Sequence, residues 1–554
     1  MFGSETFGAV PFGGAGATIF DHDAMLEASY EELVYTVTMT VWHMATDVAS
    51  TLTLGSAEWA TAPTDVPASV SFDGRLRTVL SYRRSVVDAA RLGINFTSDE
   101  GTITFDNSDG AYDAYFRTYA VDGRPVSIKV GRKTDAYANH LTIFTGTIVD
   151  WEDGDDEVRI TVRDNTAKLD VPASPNIYAG TGGAEGGTDL KGKRKPLTFG
   201  FCYGVPATPV DPANLIYQVH DDAAVDLVSE ALSVYDRGVA LTSDSPVNTY
   251  ADLVVASPAA GHFVRSRDGF YRLGAVADGV VFGNVSSTFA AIYPSQPSAA
   301  RIVRALLEGV AGMTSAEIDG VSLDRLDVAQ SSPIQVYVSP DEAQTIKELL
   351  DRVMAGLGGW VGVNRLGQIE VGRFDAIAPS EPTVATYSYA EGDIISLGIA
   401  RLPDGVWPPP WRWRVAWGRN FTVFSDFAGS VSDSVRTYYA EPYRLAESSS
   451  SAIVTDHPQA LDVGPVEAHF QGESAALSEA GRLRGLYQNN RRLFSVVVGR
   501  QGLRRKLGEV IKVVHPRFGM TAGRRMRIAE IEDGIEIADG STVEQVTLIA
   551  YEME

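Results

Sequence analysis

Over most of its length the chain alternates between short runs of period two and turns marked by Gly, Asp or Asn. In "VRITVRD", Val158, Ile160 and Val162 share one face while Arg159, Thr161 and Arg163 share the other, which is the pattern of a half-buried strand. The runs "LVYTVTMTVWHM", "SVSFDGRLRTVLSYRRSVVD", "GTITFDNSDGAYDAYF", "GRPVSIKVG" and "LTIFTGTIVDW" are equally rich in β-branched and aromatic residues. Turn residues separate them roughly every eight to twelve positions, a spacing that predicts an antiparallel sandwich or barrel.

Residues 171 to 212 lose this period and are rich in Gly, Pro, Lys and Ala, so they read as a long connector. "HDDAAVDLVSEALSVYDRGVAL" reads as a short helix followed by a Gly turn, and residues 245 to 290 as a small β insertion. "PSAARIVRALLEGVAG" then sets Ile302, Leu306 and Val310 on one helical face. In "SPDEAQTIKELLDRVMAGLGG" the expected start is an N-cap at Ser339, Pro340 in the first turn and a capping box with Glu342, with Gly356 or Gly358 ending the helix. The hairpin "WVGVNRLGQIEVGRF" follows, turning at Asn364 to Gly367, and completes an α+β unit. Past residue 380 the chain is β-rich again. In "WRWRVAW", Trp411, Trp413, Val415 and Trp417 alternate with Arg412, Arg414 and Ala416. One helix, "ESAALSEAGRLRGLYQNNRR", precedes the last strands.

The totals narrow the function. The 554 residues are 44% hydrophobic, enough for several packed domains, and the formal net charge is −24. Such a surface repels nucleic acid, so no stable nucleic-acid binding is expected. The one cysteine, Cys202, excludes an internal disulfide, a thiolate zinc cage and an iron–sulfur site. The start, "MFGSETFGAVPFGGAGATIF", lacks the basic and apolar regions of a signal peptide, and no run approaches membrane-spanning length. A soluble chain with an extended N-terminal arm is expected, with no integral membrane segment.

Candidate chemistry is sparse. Gly187 to Lys193 matches the first seven places of a phosphate-binding loop, but Arg194 stands where Ser or Thr must hold magnesium, and Pro196 follows instead of a helix. "FDNSDG" would put Phe105 and Phe116 where a calcium loop needs carboxylates, and reads as a turn. The histidines are scattered; His22 and His220 sit beside aspartates and are candidate metal ligands with a distant partner. No Gly-x-Ser-x-Gly elbow occurs, and nothing singles out a catalytic carboxylate pair among 71 acidic residues. The expectation is a protein that is not an enzyme and takes no cofactor or metal. The Trp411, Trp413 and Trp417 face reads as core or subunit interface, with sugar stacking as the alternative.

The order of segments is informative. "GTITFDNSDGAYDAYF", "GRPVSIKVG" and "FTGTIVDWE" resemble the N-terminal barrel of tail hub proteins of long-tailed, siphovirus-type bacteriophages. "DEAQTIKELLDRVMAGLGGWVGVNRLGQIEVGRF" resembles the α+β domain of those hubs, as "LGEVIKVVHPRFGM" and "RRMRIAEIEDG" resemble their closing strands. The stretch from "YAGTGGAEGGTDLKGKRKPLTFG" to "NLIYQVHD" is similar to the connector in hubs of siphophages and Mu-like prophages. In addition, "RPVSIKV" and "FTGTIVDWEDG" are echoed late in the chain by "GEVIKVV" and "RRMRIAEIEDG".

The resemblance implies a multidomain β-rich fold with α+β: an extended arm over 1–30, a first β-barrel hub domain over 31–175, a connector and β-rich insertion over 176–295, an α+β domain over 296–378, and a second, related antiparallel barrel with one helix over 379–554. It implies a homotrimer at the baseplate or tail tip of the virion, assembled in the host cytoplasm. Its partners would be the distal tail protein, the tape-measure protein, and central fibre or receptor-binding proteins. Candidate interface residues are the basic loop with Lys191, Lys193, Arg194 and Lys195, the arginines Arg412 and Arg414, and the Trp411, Trp413 and Trp417 face. The competing readings are a distal tail or host-glycan-binding component and a peptidoglycan-degrading tail enzyme.

Overall fold

The computed structural model describes residues 20–27, 32–154, 156–289, 296–377, 387–538 and 541–553. Its dominant feature is a fifteen-stranded sheet that draws on both ends of the chain. Five of its nine early strands form one set: β1 (Leu76–Val87), β2 (Gly101–Asp106), β3 (Pro125–Arg132), β4 (Leu141–Asp153) and β5 (Glu157–Arg163). Five of its six late strands form another: β6 (Ile394–Ala400), β7 (Leu493–Val498), β8 (Val510–His515), β9 (Met520–Ala538) and β10 (Ser541–Glu552). The first set is bonded in the order β3-β4-β5-β2-β1 and the second in the order β8-β9-β10-β7-β6, with every neighbour antiparallel.

The likeness extends to single residues. A bulge interrupts the β4·β5 register between Ile148 and Asp150, and the β9·β10 register between Ile528 and Glu530. A second interrupts β1·β2 between Leu76 and Thr78, and β6·β7 between Ile394 and Ser396. Matching the sets through these registers pairs Val158 with Val546, Ile160 with Leu548 and Val162 with Ala550, all six fully buried. It also pairs Ile103 with Val496 and Ile128 with Val513 in the same buried faces. Generic alternation explains apolar faces, but it does not place an extra residue at two equivalent points in a non-sequential strand order. The two sheets are therefore related, as the late echo of "RPVSIKV" and "FTGTIVDWEDG" suggested. Both are open arcs among the described residues. Beyond β3 the sheet continues antiparallel into Leu33–His43 and Val48–Gly55, whereas beyond β8 it meets only the short parallel strand Ser388–Tyr389.

Between the two sets lie the α+β unit and two five-stranded sheets. In the α+β unit, α1 (Ile346–Gly356) lays Ile346, Leu349, Leu350 and Val353 into the core beside the hairpin Gly359–Val363 and Ile369–Arg373. Its start is Thr345, not Ser339. The Thr345 hydroxyl accepts from Glu348 N at 3.2 Å and the Glu348 carboxylate accepts from Thr345 N at 2.9 Å. The residues before it are tied elsewhere: Gln344 O accepts from Ala173 N at 2.9 Å, and Val336–Val338 is a strand paired to Leu197–Phe199. Gly358, with φ +67°, turns the chain out of the helix.

Two further expectations change. The segment read as a helix, around Val228–Asp236, is a strand bonded to Val281–Thr288. The connector 171–212 contains the buried strand Leu197–Pro206. Of the extended arm, residues 1–19 and 28–30 lie outside the described residues; within it, His22–Glu27 is helical, with Met25 and Leu26 buried. A helix that the pattern did not reveal, Gly320–Ala329, packs on Ile369–Arg373 and is capped by Asp319. The helix "ESAALSEAGRLRGLYQNNRR" is present as α2 (Glu473–Tyr487).

Candidate functional site

The two related sheets are joined by β1, which adds antiparallel to β9, with Ser85 opposite Glu530, Arg83 opposite Glu532 and Thr78 opposite Glu536. The seam is acidic on β9 and basic on β1. Arg83 forks onto Glu530 at 2.8 and 2.7 Å, and this pairing raises the Arg83 pKa. Arg84 lies 3.9 Å from the fully buried Asp533. Burial, and next the nearby Arg365, lower the Arg84 pKa, against the pull of Asp533. Arg365, from the turn of the α+β hairpin, closes the seam with two bonds to Asp533 at 2.7 and 2.9 Å and a third to Ile143 O on β4 at 3.2 Å. One guanidinium thus touches the early sheet, the late sheet and the α+β unit.

The repeat leaves two edges open. On β9 the stretch Glu530–Glu536 is covered by β1; the matching stretch of β4, Asp150–Asp153, has no strand on that side among the described residues. Asp150, Glu152 and Asp153 are exposed there. At the other end, β6 is bonded only to β7 among the described residues, and it shows Ile395 and Ile399 to solvent, each 56% exposed.

The candidate interface residues fall into two groups. In the basic loop, Lys191 and Lys193 are exposed. Arg194 is turned inward, donating to Ser174 O at 2.6 Å, and Lys195 is buried on Glu185 at 2.7 Å. Nothing helical follows the loop; the strand Leu197–Pro206 does. The clamp this loop forms inside the chain is therefore the Lys195–Glu185 pair. Arg412 and Arg414 both converge on Asp462, Arg414 at 3.0 Å, so much of their charge is answered within the chain. Trp413 is buried and stacked on Tyr487 of α2 at 5.6 Å, and Trp417 packs partly into the same core. Trp411, just before the strand Arg412–Trp417, lies under the Arg412 guanidinium at 4.8 Å. With Trp413 in the core, the three indoles do not form one open sugar platform.

The candidate ligand histidines have other partners. His220 accepts from Thr198 N at 3.2 Å through Nδ1, and its Nε2 lies 2.9 Å from Val225 O; His22 Nε2 lies 2.9 Å from Asn139 O. Among the described residues no three His, Cys, Asp or Glu side chains converge as a metal site would require. None of the described helices is long and apolar enough to cross a membrane. Sequence reasoning missed one acidic pair. Glu370 and Glu509 line a cleft of about 570 Å³ between the α+β unit and the late sheet, with Asp319, Arg373 and Lys506, and burial raises the pKa of both glutamates. Neither lies in a recognisable motif, so only the fold brings them to one cleft.

No protein-family model matches this chain, and no curated protein does. Among solved structures it is similar to a tail protein of Neisseria meningitidis, with 10% identity over 94% of this chain and 96% of that one, at a TM-score of 0.38. A prophage tail protein of Shewanella oneidensis gives 11% identity over 94% and 96%, at 0.36. A chain in the virion of a gene transfer agent gives 12% identity over 66% and 85%, at 0.33. These three solved structures are tail proteins and a component of a virion, each at low identity.

Proposed function

We propose that this chain is the structural hub of a phage tail baseplate: it closes the distal end of the tail tube and adapts a six-fold tube to a three-fold tip. The observation that supports this reading is the duplicated five-strand unit with its two shared bulges. Three copies of a chain with two alike units offer six alike surfaces, which is what a three-fold plug needs in order to meet a hexameric ring. The buried Arg365–Asp533 pair and the continuous sheet hold the two units as one body, as a part that bears load must be held. The net charge of −24 suits a passage that does not retain DNA. The domain map given above, the tip location, assembly in the host cytoplasm, and the distal tail, tape-measure and fibre partners belong to this same reading. Quantifying the chain in purified particles tests it: three copies per tail are expected, and six or one would sink the hub.

A second reading, a wall-degrading tail enzyme, takes support from the Glu370 and Glu509 cleft, because carboxyls with raised pKa values can serve as general acids. Under the hub reading the purified chain leaves peptidoglycan intact. Clearing that Glu370→Gln or Glu509→Gln abolishes would replace the non-enzymatic part of the proposal.

A further inference from the structure

The chain carries two copies of a five-strand unit but makes the joint between units once. In that joint the terminal strand of the first unit, β1, covers the outer edge of β9. The terminal strand of the second unit, β6, and the matching outer edge of the first, Asp150–Asp153 of β4, are both left unpaired among the described residues. One chain therefore displays both halves of a joint whose geometry it already contains. We infer that β6 of one copy adds antiparallel to Asp150–Asp153 of a second copy, repeating between chains the β1·β9 joint made within one; this rests on the hub reading for its three-fold closure.

The internal joint fixes the register. Ser81 and Gly398 occupy equivalent places, because Ser81 faces Thr102 and Gly398 faces Ser495, and those two residues face the equivalent Thr161 and Ile549. Arg84 is then matched by Arg401, Tyr82 by Ile399, and Ser85 by Leu402. On the accepting strand, Asp150, Glu152 and Asp153 match Glu530, Glu532 and Asp533. Carrying the β1·β9 register across sets Leu402 opposite Asp150, Ala400 opposite Glu152 and Ile399 opposite Asp153. Arg401 reaches the second copy's Asp153 as Arg84 reaches Asp533.

Exposure and charge agree with that pairing. Arg401 is 84% exposed and pairs with Asp404 three residues on, itself 78% exposed. Asp150, Glu152 and Asp153 make no ion pair among the described residues. Beside the end of β6, where the register brings Asp150, a cleft of about 310 Å³ is lined by Arg401, Arg492 and Asp404. An edge strand showing Ile395 and Ile399 is an aggregation hazard unless a partner covers it. The occupant is a second copy because the complementary edge, with matching acids, lies on this same chain. The contact is head-to-tail, so it closes into a ring when the rotation per copy permits. Main-chain bonds would supply affinity and the charges would set register.

The test uses full-length protein. Chains carrying Ile399→Cys are mixed with chains carrying Asp153→Cys under mild oxidation, and the 399–153 disulfide is quantified by mass spectrometry. Opposed residues in an antiparallel pair are within disulfide reach. Cys202 is buried, and burial pushes its thiol up to about 12, so it stays out of the reaction. Strand pairing is expected to give about tenfold more disulfide than the Asp153→Cys chain mixed with Val328→Cys, a control at an 88% exposed position. Arg401→Glu is expected to reduce self-association in sedimentation, and adding Asp153→Lys in the same chain to restore it. Disulfide no higher than control in a sample that sediments as a trimer overturns the joint and leaves the hub reading standing. So does self-association unchanged by Arg401→Glu. A chain that stays monomeric at all concentrations also overturns the joint, while the copy number in particles separately decides the hub.

Discussion

Arg365 and Asp533 meet through two parallel bonds, 2.7 and 2.9 Å long, at a point where the carboxylate has no solvent exposure and Arg84 is its second cation. Removing the carboxylate leaves two buried guanidiniums with Glu370 as their remaining acidic neighbour and no hydrogen-bonded anion for Arg365; removing Arg365 leaves Asp533 with Arg84. Breaking a buried pair from one side typically costs about 3–5 kcal/mol. Asp533→Asn is therefore expected to fall in that range and Arg365→Ala below it, measured by urea unfolding with an unchanged m-value. Equal and small losses in both would mean that the pair does not hold the sheets together.

The start of α1 can be checked as sharply. Thr345→Ala removes the cap that the helix uses and is expected to cost about 1 kcal/mol. Ser339→Ala removes an oxygen that accepts from Asp341 N at 3.3 Å in a turn, and is expected to stay within about 0.5 kcal/mol. Thermal unfolding of the two variants distinguishes the capping box that forms from the one that does not.

The same contrast shows what was legible in the sequence. "SPDE" and "TIKE" both satisfy a capping box, and sequence alone does not tell which backbone is already committed to a neighbouring strand. The strand Val228–Asp236 was hidden by its own bulge: Ser229 and Ala231 are buried, Leu232 is 40% exposed, and the register then shifts so that Val234 is buried. Leu227, Ala231 and Val234 consequently fall at helical spacing. In Leu197–Pro206, Gly200 and Gly204 with positive φ broke the pattern that marks a strand. The kinship of the two sheets was visible because β4 and β9 carry the same acidic ending beside the same bulge. The joint between β1 and β9 was not, since nothing local in either strand names a partner so distant in the chain. The open edges follow only from comparing the two units once both are built.

Acid should weaken the fold through a buried histidine. His469 is buried; burial, then the nearby Arg352 and Arg419, lower its pKa to about 3, although Nδ1 lies 3.1 Å from Gln335 O. Its unfolded value is about 6.5. Between those two values the unfolded chain binds the extra proton, so stability is full above pH 6.5 and falls as the pH drops toward 3. His220 is shifted the same way by burial. Wild-type protein is expected to lose on the order of 1 kcal/mol per pH unit per such histidine below pH 6.5 in urea unfolding. In His469→Gln that slope should flatten; an unchanged slope would assign the acid sensitivity to other groups.

The basic loop separates folding from assembly. Lys195 is held on Glu185 inside the chain, and the pairing with Lys195 holds the Glu185 carboxyl below its ordinary pKa. Lys191 and Lys193 point outward with no ion pair among the described residues. Lys195→Glu sets two acids against each other on a half-buried contact and is expected to lower the melting temperature of the isolated chain. The double variant Lys191→Glu and Lys193→Glu removes nothing the fold uses, and should melt within about 2 °C of wild type. If the outward lysines grip an acidic neighbour in the tail, that double variant should still be incorporated poorly into particles, and copy number per purified virion measures it. Normal incorporation, with the melting temperature unchanged, would mean that Lys191 and Lys193 are solvated surface and that the loop's charge serves the chain's own fold through Lys195.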